Sequence, residues 1–208
     1  MAKRYDQYCP IAHALDLVGD RWSLLVVREL VHGPLRYTDI HERLHSCSTN
    51  VLAARLRDLE AGGIVRRRQL PPPAASTVYE LTECGAALRQ VLHALAWWGA
   101  ETLGPPAAGD VESFAPGWLE RALFTAVEPT DDGSAIEFRV GGEVAHLAGG
   151  RVAAGAAEAP DVVVSTDATG FFHLLVDRDL TGVGVEGDAA ALDAFLAALP
   201  RAHAPSLR

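Results

Sequence analysis

The sequence predicts a mainly helical first domain followed by an α+β domain with a mostly antiparallel sheet. Helical patterns fill most of the first half, whereas short β-like runs between glycine-rich turns dominate the second. Residues 104–110, rich in small side chains and proline, lie between them. Residues 1–104 carry 12 Lys and Arg against 11 Asp and Glu, whereas residues 105–208 carry 6 against 16. We therefore predict domains over residues 1–104 and 110–208.

The first half contains four helical patterns, which are separated by turn residues and cover residues 10–18, 21–31, 38–44 and 49–61. Two short β-like runs over 64–70 and 77–81 follow, and a proline-rich tip joins them into an arm. Thr82 then begins a long helix. Helices in this order, followed by a two-stranded arm, are typical of a winged helix-turn-helix with flanking helices.

The second half mixes short strands with helices. Helical patterns begin at Trp118, Asp167 and Asp188. The β-like runs, most of them bounded by turn residues, cover residues 135–140, 143–148, 151–155, 161–165 and 181–187. This mixture predicts the α+β domain with its mostly antiparallel sheet.

The helix over residues 49–61 has one apolar face and one polar face with small side chains. Leu52, Leu56 and Leu59 fall within a narrow arc and should face the core. The opposite side presents Thr49, Asn50, Ala53, Ala54, Arg57 and Ala61. Asn can bind the N6/N7 edge of adenine and Arg the O6/N7 edge of guanine, so this side can enter a DNA major groove. The alternative is an ordinary solvated helix face.

Three consecutive arginines, Arg66, Arg67 and Arg68, open the predicted arm. Strand alternation directs Arg66 and Arg68 to one face and Arg67 to the other. Residues 36–68 carry seven Arg against four Asp and Glu, so this region is basic although the chain has a net charge of −9. We expect one face of the arm to contact DNA phosphates. The alternative is that these charges protect an edge strand from pairing.

Together these motifs resemble the HxlR branch of the MarR-type winged-helix regulators over about residues 5–102. The similarity lies in CPIAHALDLVGDRWSLLVVRELVHGPLRYTDIHERL, in STNVLAARLRDLEAGGIVRRR, and in VYELTECGAAL followed by WWG. Tyr37 stands where the family usually has Phe, and the turn Ser46-Cys47-Ser48 departs from the usual Gly-Ile-Ser. The resemblance implies a dimeric DNA-binding regulator that responds to electrophiles, oxidants or metabolites.

The resemblance and the helix positions together predict a DNA-binding surface. It comprises residues of the turn into the third helix, of the fourth helix and of the arm, namely Arg36, Tyr37, Thr38, Ser48, Thr49, Asn50, Ala53, Ala54, Arg57, Arg66, Arg67 and Arg68. We expect the protein to bind a double-stranded operator as a homodimer and to act as a repressor. Trp97 and Trp98 of the long helix are predicted to pack in the dimer.

Cys9 is the predicted redox residue. It precedes Pro10 at a helix N-terminus, where the helix dipole favours a thiolate. The resemblance implies that the matching cysteine senses oxidants or quinones in some members. The alternative is a buried apolar thiol in the dimer interface. A thiol-based sensor acting through Cys9, with a purely structural second domain, is therefore the alternative function.

Residues 116–200 resemble the sterol carrier protein fold. The resemblance rests on the GGEV hairpin, on PDVVVSTD and on VGVEGDAAALDAFLAAL, and it implies an apolar cavity. The aromatic side chains predicted to line such a pocket are Trp118, Phe124, Phe138, Phe171, Phe172 and Phe195. Alternatively, most of them form the ordinary core of a small domain. We expect this domain to bind an apolar small-molecule effector; the alternative is that it serves only dimerisation.

Other classes of protein are not indicated. The sequence shows no nucleophile elbow, phosphate loop or paired catalytic carboxylates, so we predict neither an enzyme nor a cofactor. His41 and His45 supply only two of the three or four ligands that zinc needs, so we predict no metal. Three scattered cysteines and a charged N-terminus without a long apolar run predict a cytoplasmic protein with no membrane partner.

Overall fold

The computed structural model describes residues 4–73, 75–107, 114, 116–127 and 133–200. Residue contacts divide the chain into two units, Met1–Leu92 and His93–Arg208. Each unit has its own apolar core. Among the residues in these described ranges, no helix is long and apolar enough to cross a bilayer.

The first unit contains the winged helix-turn-helix that the sequence predicts. Its helices are α1 (Pro10–Val18), α2 (Ser23–Leu30), α3 (Tyr37–Arg43), α4 (Thr49–Ala61), α5 (Glu83–Ala86) and the start of α6 (Leu88–Leu103). Its strands are β1 (Leu35–Arg36), β2 (Val65–Gln69) and β3 (Thr77–Leu81). They form an antiparallel sheet in the order β1-β3-β2, in which β2 and β3 are the wing.

The core of the first unit forms where the apolar faces of α2, α3 and α4 meet. Leu52, Leu56 and Leu59 are at most 1% exposed, which confirms the face that their spacing predicts. Burying a side chain of this size stabilises the fold by about 1.5–3 kcal/mol. Val26 and Ile40 complete the same cluster from α2 and α3. This packing fixes α4 with its polar side turned outward.

The predicted long helix from Thr82 is in fact two helices, α5 and α6. Thr82 caps α5, since its Oγ1 accepts a hydrogen bond from the Gly85 N–H at 3.0 Å. Only glycine fits at position 85, because a Cβ there would lie 2.1 Å from the carbonyl oxygen of Ile64. Strand β1 was not predicted, because two residues are too few to show a β pattern.

The second unit is an α+β domain, and its mostly antiparallel sheet is confirmed. Its strands are β4 (Ala135–Val140), β5 (Glu143–Ala148), β6 (Arg151–Ala154), β7 (Val162–Thr166) and β8 (Gly184–Gly187). Its complete helices within the described ranges are α7 (Trp118–Ala126), α8 (Ala168–Val176) and α9 (Ala189–Ala198). The sheet order is β6-β5-β4-β7-β8, in which β4 and β7 run parallel and the other pairs antiparallel.

The C-terminal half of α6 packs into the core of the second unit. The Trp97 ring is buried there, and its Nε1–H donates to the Ala126 carbonyl oxygen at 3.0 Å. The predicted dimer-packing role is therefore wrong for Trp97, because its own chain covers it, whereas Trp98 is exposed. The two units divide inside α6 rather than in the predicted linker 104–110, of which residues 108–110 lie outside the described residues.

Candidate nucleic-acid interface

Cys47 closes the turn between α3 and α4. Its backbone N–H donates to the Leu44 carbonyl oxygen at 2.7 Å, and its side chain is 1% exposed. Burial raises the pKa of the Cys47 thiol, so the neutral form is favoured. Cys47 occupies the position that is usually Ile in the resembled family. The departing turn is accommodated because a buried thiol acts as a small apolar side chain.

Tyr37 joins the beginnings of α3 and α4. Its hydroxyl donates to the Thr49 carbonyl oxygen at 2.8 Å, and its ring stacks on His41. Burial, followed by the neighbouring Cys47 and Tyr79, raises the pKa of the Tyr37 hydroxyl. These contacts give Tyr37 a structural task beside its predicted place in the DNA-binding surface. Its neighbours Arg36 and Thr38 are exposed.

The outward side of α4 carries the predicted base-reading residues. Thr49, Asn50 and Arg57 are exposed, as is Ser48 at the N-cap, while Ala53 and Ala54 are half-buried. Arg57 makes no hydrogen bond or ion pair with any residue in the described part of the chain. Arg55 on the flank differs, because it binds Asp20 and Asp58. The outward side of α4 thus offers one amide and one guanidinium with hydrogen-bonding groups available.

Each of the three wing arginines is bound to a carboxylate. The Nε atoms of Arg66 and Arg68 donate to different oxygens of Glu80, both at 2.8 Å. Arg67 binds Glu60 of α4 through Nε and Nη2, each at 2.9 Å. Arg66 and Arg68 therefore share one face of β2 and Arg67 lies on the other, which confirms the alternation expected of a strand.

Sequence reasoning missed Glu80, which lies beneath Arg66 and Arg68. Its side chain is 12% exposed, against 65% and 45% for the two arginines. Hydrogen bonds from Arg68 and then from Arg66 lower the pKa of the Glu80 carboxyl, although burial acts against them. The signal was the register of the hairpin: Arg66 pairs directly with Glu80 across β2 and β3. Without the turn geometry, that register could not be assigned.

Cys9 lies at the N-cap of α1, as predicted from Pro10. It is half-buried, its side chain makes no capping hydrogen bond, and its carbonyl oxygen accepts the His13 N–H at 2.9 Å. Around it, Tyr8, Ile11 and Leu15 are exposed apolar side chains. In the described ranges, no three His, Cys, Asp or Glu side chains are grouped as metal ligands.

Four of the six aromatic residues predicted for a ligand pocket lie together in the second unit. The rings of Trp118 and Phe171 are 6.0 Å apart, those of Phe138 and Phe171 5.9 Å, and those of Phe138 and Phe195 5.5 Å. Phe124 and Phe172 are half-buried. The lining of a pocket by these residues stays a prediction.

A cleft of about 390 Å³ lies elsewhere in the second unit. It is lined by residues from the end of α8, the following loop, α9 and the C-cap of α9, namely Val176, Arg178, Leu180, Asp193, Leu196, Ala197 and Leu199. Its volume lies within the range of ligand pockets, roughly 300–1,000 Å³. The lining is mostly apolar, with one residue of each charge.

Known proteins resemble the first half of the chain. Residues 17–106 match the model of a family described as HxlR-like helix-turn-helix. An uncharacterized HTH-type transcriptional regulator of Synechocystis sp. is 40% identical over 95 residues, which make up 46% of this chain and 70% of the relative. The HTH-type transcriptional regulator YodB of Bacillus subtilis is 37% identical over 98 residues, 47% of this chain and 88% of YodB. The solved structure of reduced YodB matches with 36% identity and a TM-score of 0.41, covering 46% of this chain and 94% of that one.

Proposed function

Because the chain belongs to the HxlR-like helix-turn-helix family, we propose that it is a transcription regulator that binds operator DNA as a homodimer through its winged helix-turn-helix. The two relatives described above are HTH-type transcriptional regulators, which supports DNA binding by the matched residues. The dimeric state, the choice between repression and activation, and the effector are our inferences from the two units.

The observation that carries the proposal is the outward side of α4. Asn50 and Arg57 are exposed there on a helix whose other side is locked by three buried leucines. Asn and Arg are the side chains that make bidentate hydrogen bonds to adenine and guanine in the major groove. A rigid helix that presents these two groups supports direct reading of base edges.

Selection of bound fragments from the source genome, followed by a footprint, tests the proposal. The expected result is a protected site with two related half-sites about one helical turn apart. Arg57→Ala should abolish or shift the selected sequence. Arg151→Ala is the matched control, because Arg151 is an exposed arginine on β6 in the second unit. Recovery of the same random fragments with both variants and the parent would contradict the proposal.

Exposed apolar side chains support the homodimer. Tyr8, Ile11 and Leu15 lie on or beside α1, and Leu95 and Trp98 lie on α6. Ile11 and Leu15 are four residues apart on α1, and Leu95 and Trp98 are three apart on α6, so each helix has an exposed apolar face of its own, which is typical of an association site. Ile11→Glu and Trp98→Glu should therefore weaken the dimer, and Val185→Glu on β8 is the control. Light scattering that shows a monomer at micromolar concentration, with operator binding intact, would contradict the dimer.

We further propose that the protein is a repressor and that an apolar small molecule bound by the second, sterol-carrier-like unit changes its operator affinity. Residues 105–208, which make up most of this unit, carry a net charge of −10, which makes them unsuitable for DNA binding. The cleft beside α9 has a volume within the range of ligand sites, and five apolar residues line it together with Arg178 and Asp193. A ligand changes operator affinity only if it favours one state of the regulator over the other. If the protein is a repressor, deletion of the regulator should raise the expression of a reporter gene placed under its operator.

The cleft itself can be tested with two substitutions on one helix. Ala197 lines the cleft and is exposed, whereas Ala194 is exposed on the same helix outside it. Ala197→Phe should fill the cleft and remove the thermal stabilisation produced by an apolar ligand library, and Ala194→Phe should keep it. Stabilisation that survives Ala197→Phe would place the ligand elsewhere, with the aromatic cluster around Phe138 and Phe171 as the next site to substitute.

Sensing through Cys9 is the second candidate, and its position at the N-terminus of α1 favours it. On this alternative the second unit is only structural. Cys9 should then react with an electrophile such as iodoacetamide at pH 7 faster than the exposed Cys84, and alkylation should change operator affinity. Cys9→Ser should abolish that change, whereas Cys84→Ser should not. Equal reaction rates for the two thiols would argue against this candidate.

A further inference from the structure

We propose that Glu80 is a positioning residue for DNA binding, which holds Arg66 and Arg68 side by side as one phosphate clamp. The inference rests on the proposed DNA-binding function and adds to it a residue that does not itself touch DNA. It concerns a carboxylate, a group that repels phosphate and that would not be sought in a DNA-binding surface.

The geometry indicates that Glu80 holds the two arginine side chains in place rather than only neutralising their charge. Each arginine uses its Nε for Glu80, at 2.8 Å, and the two bonds go to different carboxylate oxygens. A guanidinium has five N–H groups, so four remain on each arginine for other acceptors. Residues two apart on a strand place their side chains on one face about 7 Å apart. Arg66 and Arg68 therefore form a fixed pair with spare donors.

Glu80 lies deeper in the protein than Arg66 and Arg68. Only 12% of the Glu80 side chain is exposed, whereas 65% of Arg66 and 45% of Arg68 are exposed. The carboxylate lies beneath the two guanidiniums, which carry a net charge of +1 together with it. Phosphate can bind the outer N–H groups without displacing Glu80, since charge-assisted bonds to Arg require only those donors.

Fixing the arginines in advance reduces the entropy lost when DNA binds. Arg is among the side chains with the most rotamer freedom, and its immobilisation opposes binding. Glu80 immobilises two such side chains in the free protein. The consequence is an affinity gain that depends on where the carboxylate lies, and not only on its charge.

Glu80→Gln and Glu80→Asp separate position from charge. Glu80→Gln removes the charge and keeps the length, whereas Glu80→Asp keeps the charge and withdraws the carboxylate by one CH₂ group. We expect both to weaken operator binding, by about tenfold, measured by fluorescence anisotropy with the full-length protein. In an Arg66→Ala/Arg68→Ala background, neither change should weaken binding further. Glu137→Gln, which breaks an arginine–carboxylate pair in the second unit, is the control and should leave operator affinity unchanged.

Three results would overturn the inference. Glu80→Gln that tightens operator and random DNA alike would show that Glu80 only competes with phosphate. If Glu80→Gln weakens operator binding equally with and without the two arginines, Glu80 only supports the wing. If Arg66→Ala/Arg68→Ala leaves operator affinity unchanged, the two arginines do not form a clamp. The proposed function fails separately, if the parent protein selects no DNA or if Arg57→Ala leaves its sequence preference unchanged.

Discussion

Arg57 of α4 and the arginines of β2 belong to the same predicted DNA-binding surface, but their surroundings differ. Arg57 is exposed and has no hydrogen bond or ion pair to any residue that the structure describes. Arg66, Arg67 and Arg68 each bind a carboxylate of the same unit. A guanidinium with free donors can adapt to a base edge, whereas a held guanidinium suits phosphates, which are the same in every sequence. We infer that the helix specifies the sequence and that the wing supplies general affinity.

Substituting the helix residues should separate these two roles most clearly. Asn50→Ala and Arg57→Ala are each expected to cost about 1–3 kcal/mol of operator binding, because each removes a bidentate contact to one base. The loss should be confined to operators with the preferred base at one position. Titration of the operator and its single-base variants measures it.

Arg151→Ala should leave both the affinity and the base preference unchanged, since Arg151 lies on β6 in the second unit. The assignment of roles is wrong if the helix variants lose operator and random DNA to the same extent. In that case α4 would contact phosphates only.

The second unit shows that a carboxylate–arginine pair need not concern DNA. Glu137 on β4 is 1% exposed, and it accepts hydrogen bonds from Arg139 at 2.7 Å and from the Ala157 N–H at 2.9 Å. Glu137→Gln is expected to destabilise this unit by about 1–3 kcal/mol at pH 7, because it breaks the charged hydrogen bond between the buried carboxylate and the exposed Arg139 and weakens the acceptor for Ala157. Thermal unfolding at several pH values measures the change.

The pH dependence of this effect has a definite sign. Burial alone raises the pKa of the Glu137 carboxyl, but Arg139 and the Ala157 N–H outweigh it, so that its pKa in the folded protein lies below the usual value of a glutamate. The stabilisation is therefore present above about pH 4.5 and is lost as the pH falls through the lowered pKa. The difference between the parent and Glu137→Gln should shrink below that pH. A constant difference from pH 7 to pH 3 would exclude the ionised carboxylate as its cause.

The wing arginines should show a smaller effect that does not depend on sequence. Arg66→Ala/Arg68→Ala is expected to weaken operator and random DNA by the same factor, because phosphates are common to both. The slope of log affinity against log salt should decrease by about 1 for each phosphate that the variant no longer binds. If the double substitution weakens binding to the operator but not to random DNA, the wing reads bases instead.

The sequence predicted the elements more fully than the contacts between them. Helical periodicity located the buried Leu52, Leu56 and Leu59, since that pattern is local. It could not locate Glu80, because its pairing with Arg66 depends on the hairpin register, which requires the turn geometry. It also placed Trp97 in a dimer interface, because an apolar stripe on a helix does not show which partner covers it. The structure was therefore needed to identify contacts between residues that are distant in the chain.

Removal of the Tyr37 hydroxyl should produce the smallest effect, because this group positions α4 and is not expected to bind a base. Tyr37→Phe removes the bond to the Thr49 carbonyl oxygen and keeps the ring stacked on His41. We expect a loss of about 0.5–1.5 kcal/mol in the free energy of unfolding, which is the net contribution of one hydrogen bond. Tyr79→Phe is the matched control, because the Tyr79 ring packs against the same core and its hydroxyl has no hydrogen-bond partner among the described residues. If Tyr37→Phe behaves like Tyr79→Phe in both unfolding and operator binding, the start of α4 is fixed by its buried leucines alone. If only operator binding falls, the hydroxyl positions the exposed Thr49 and Asn50 without stabilising the domain.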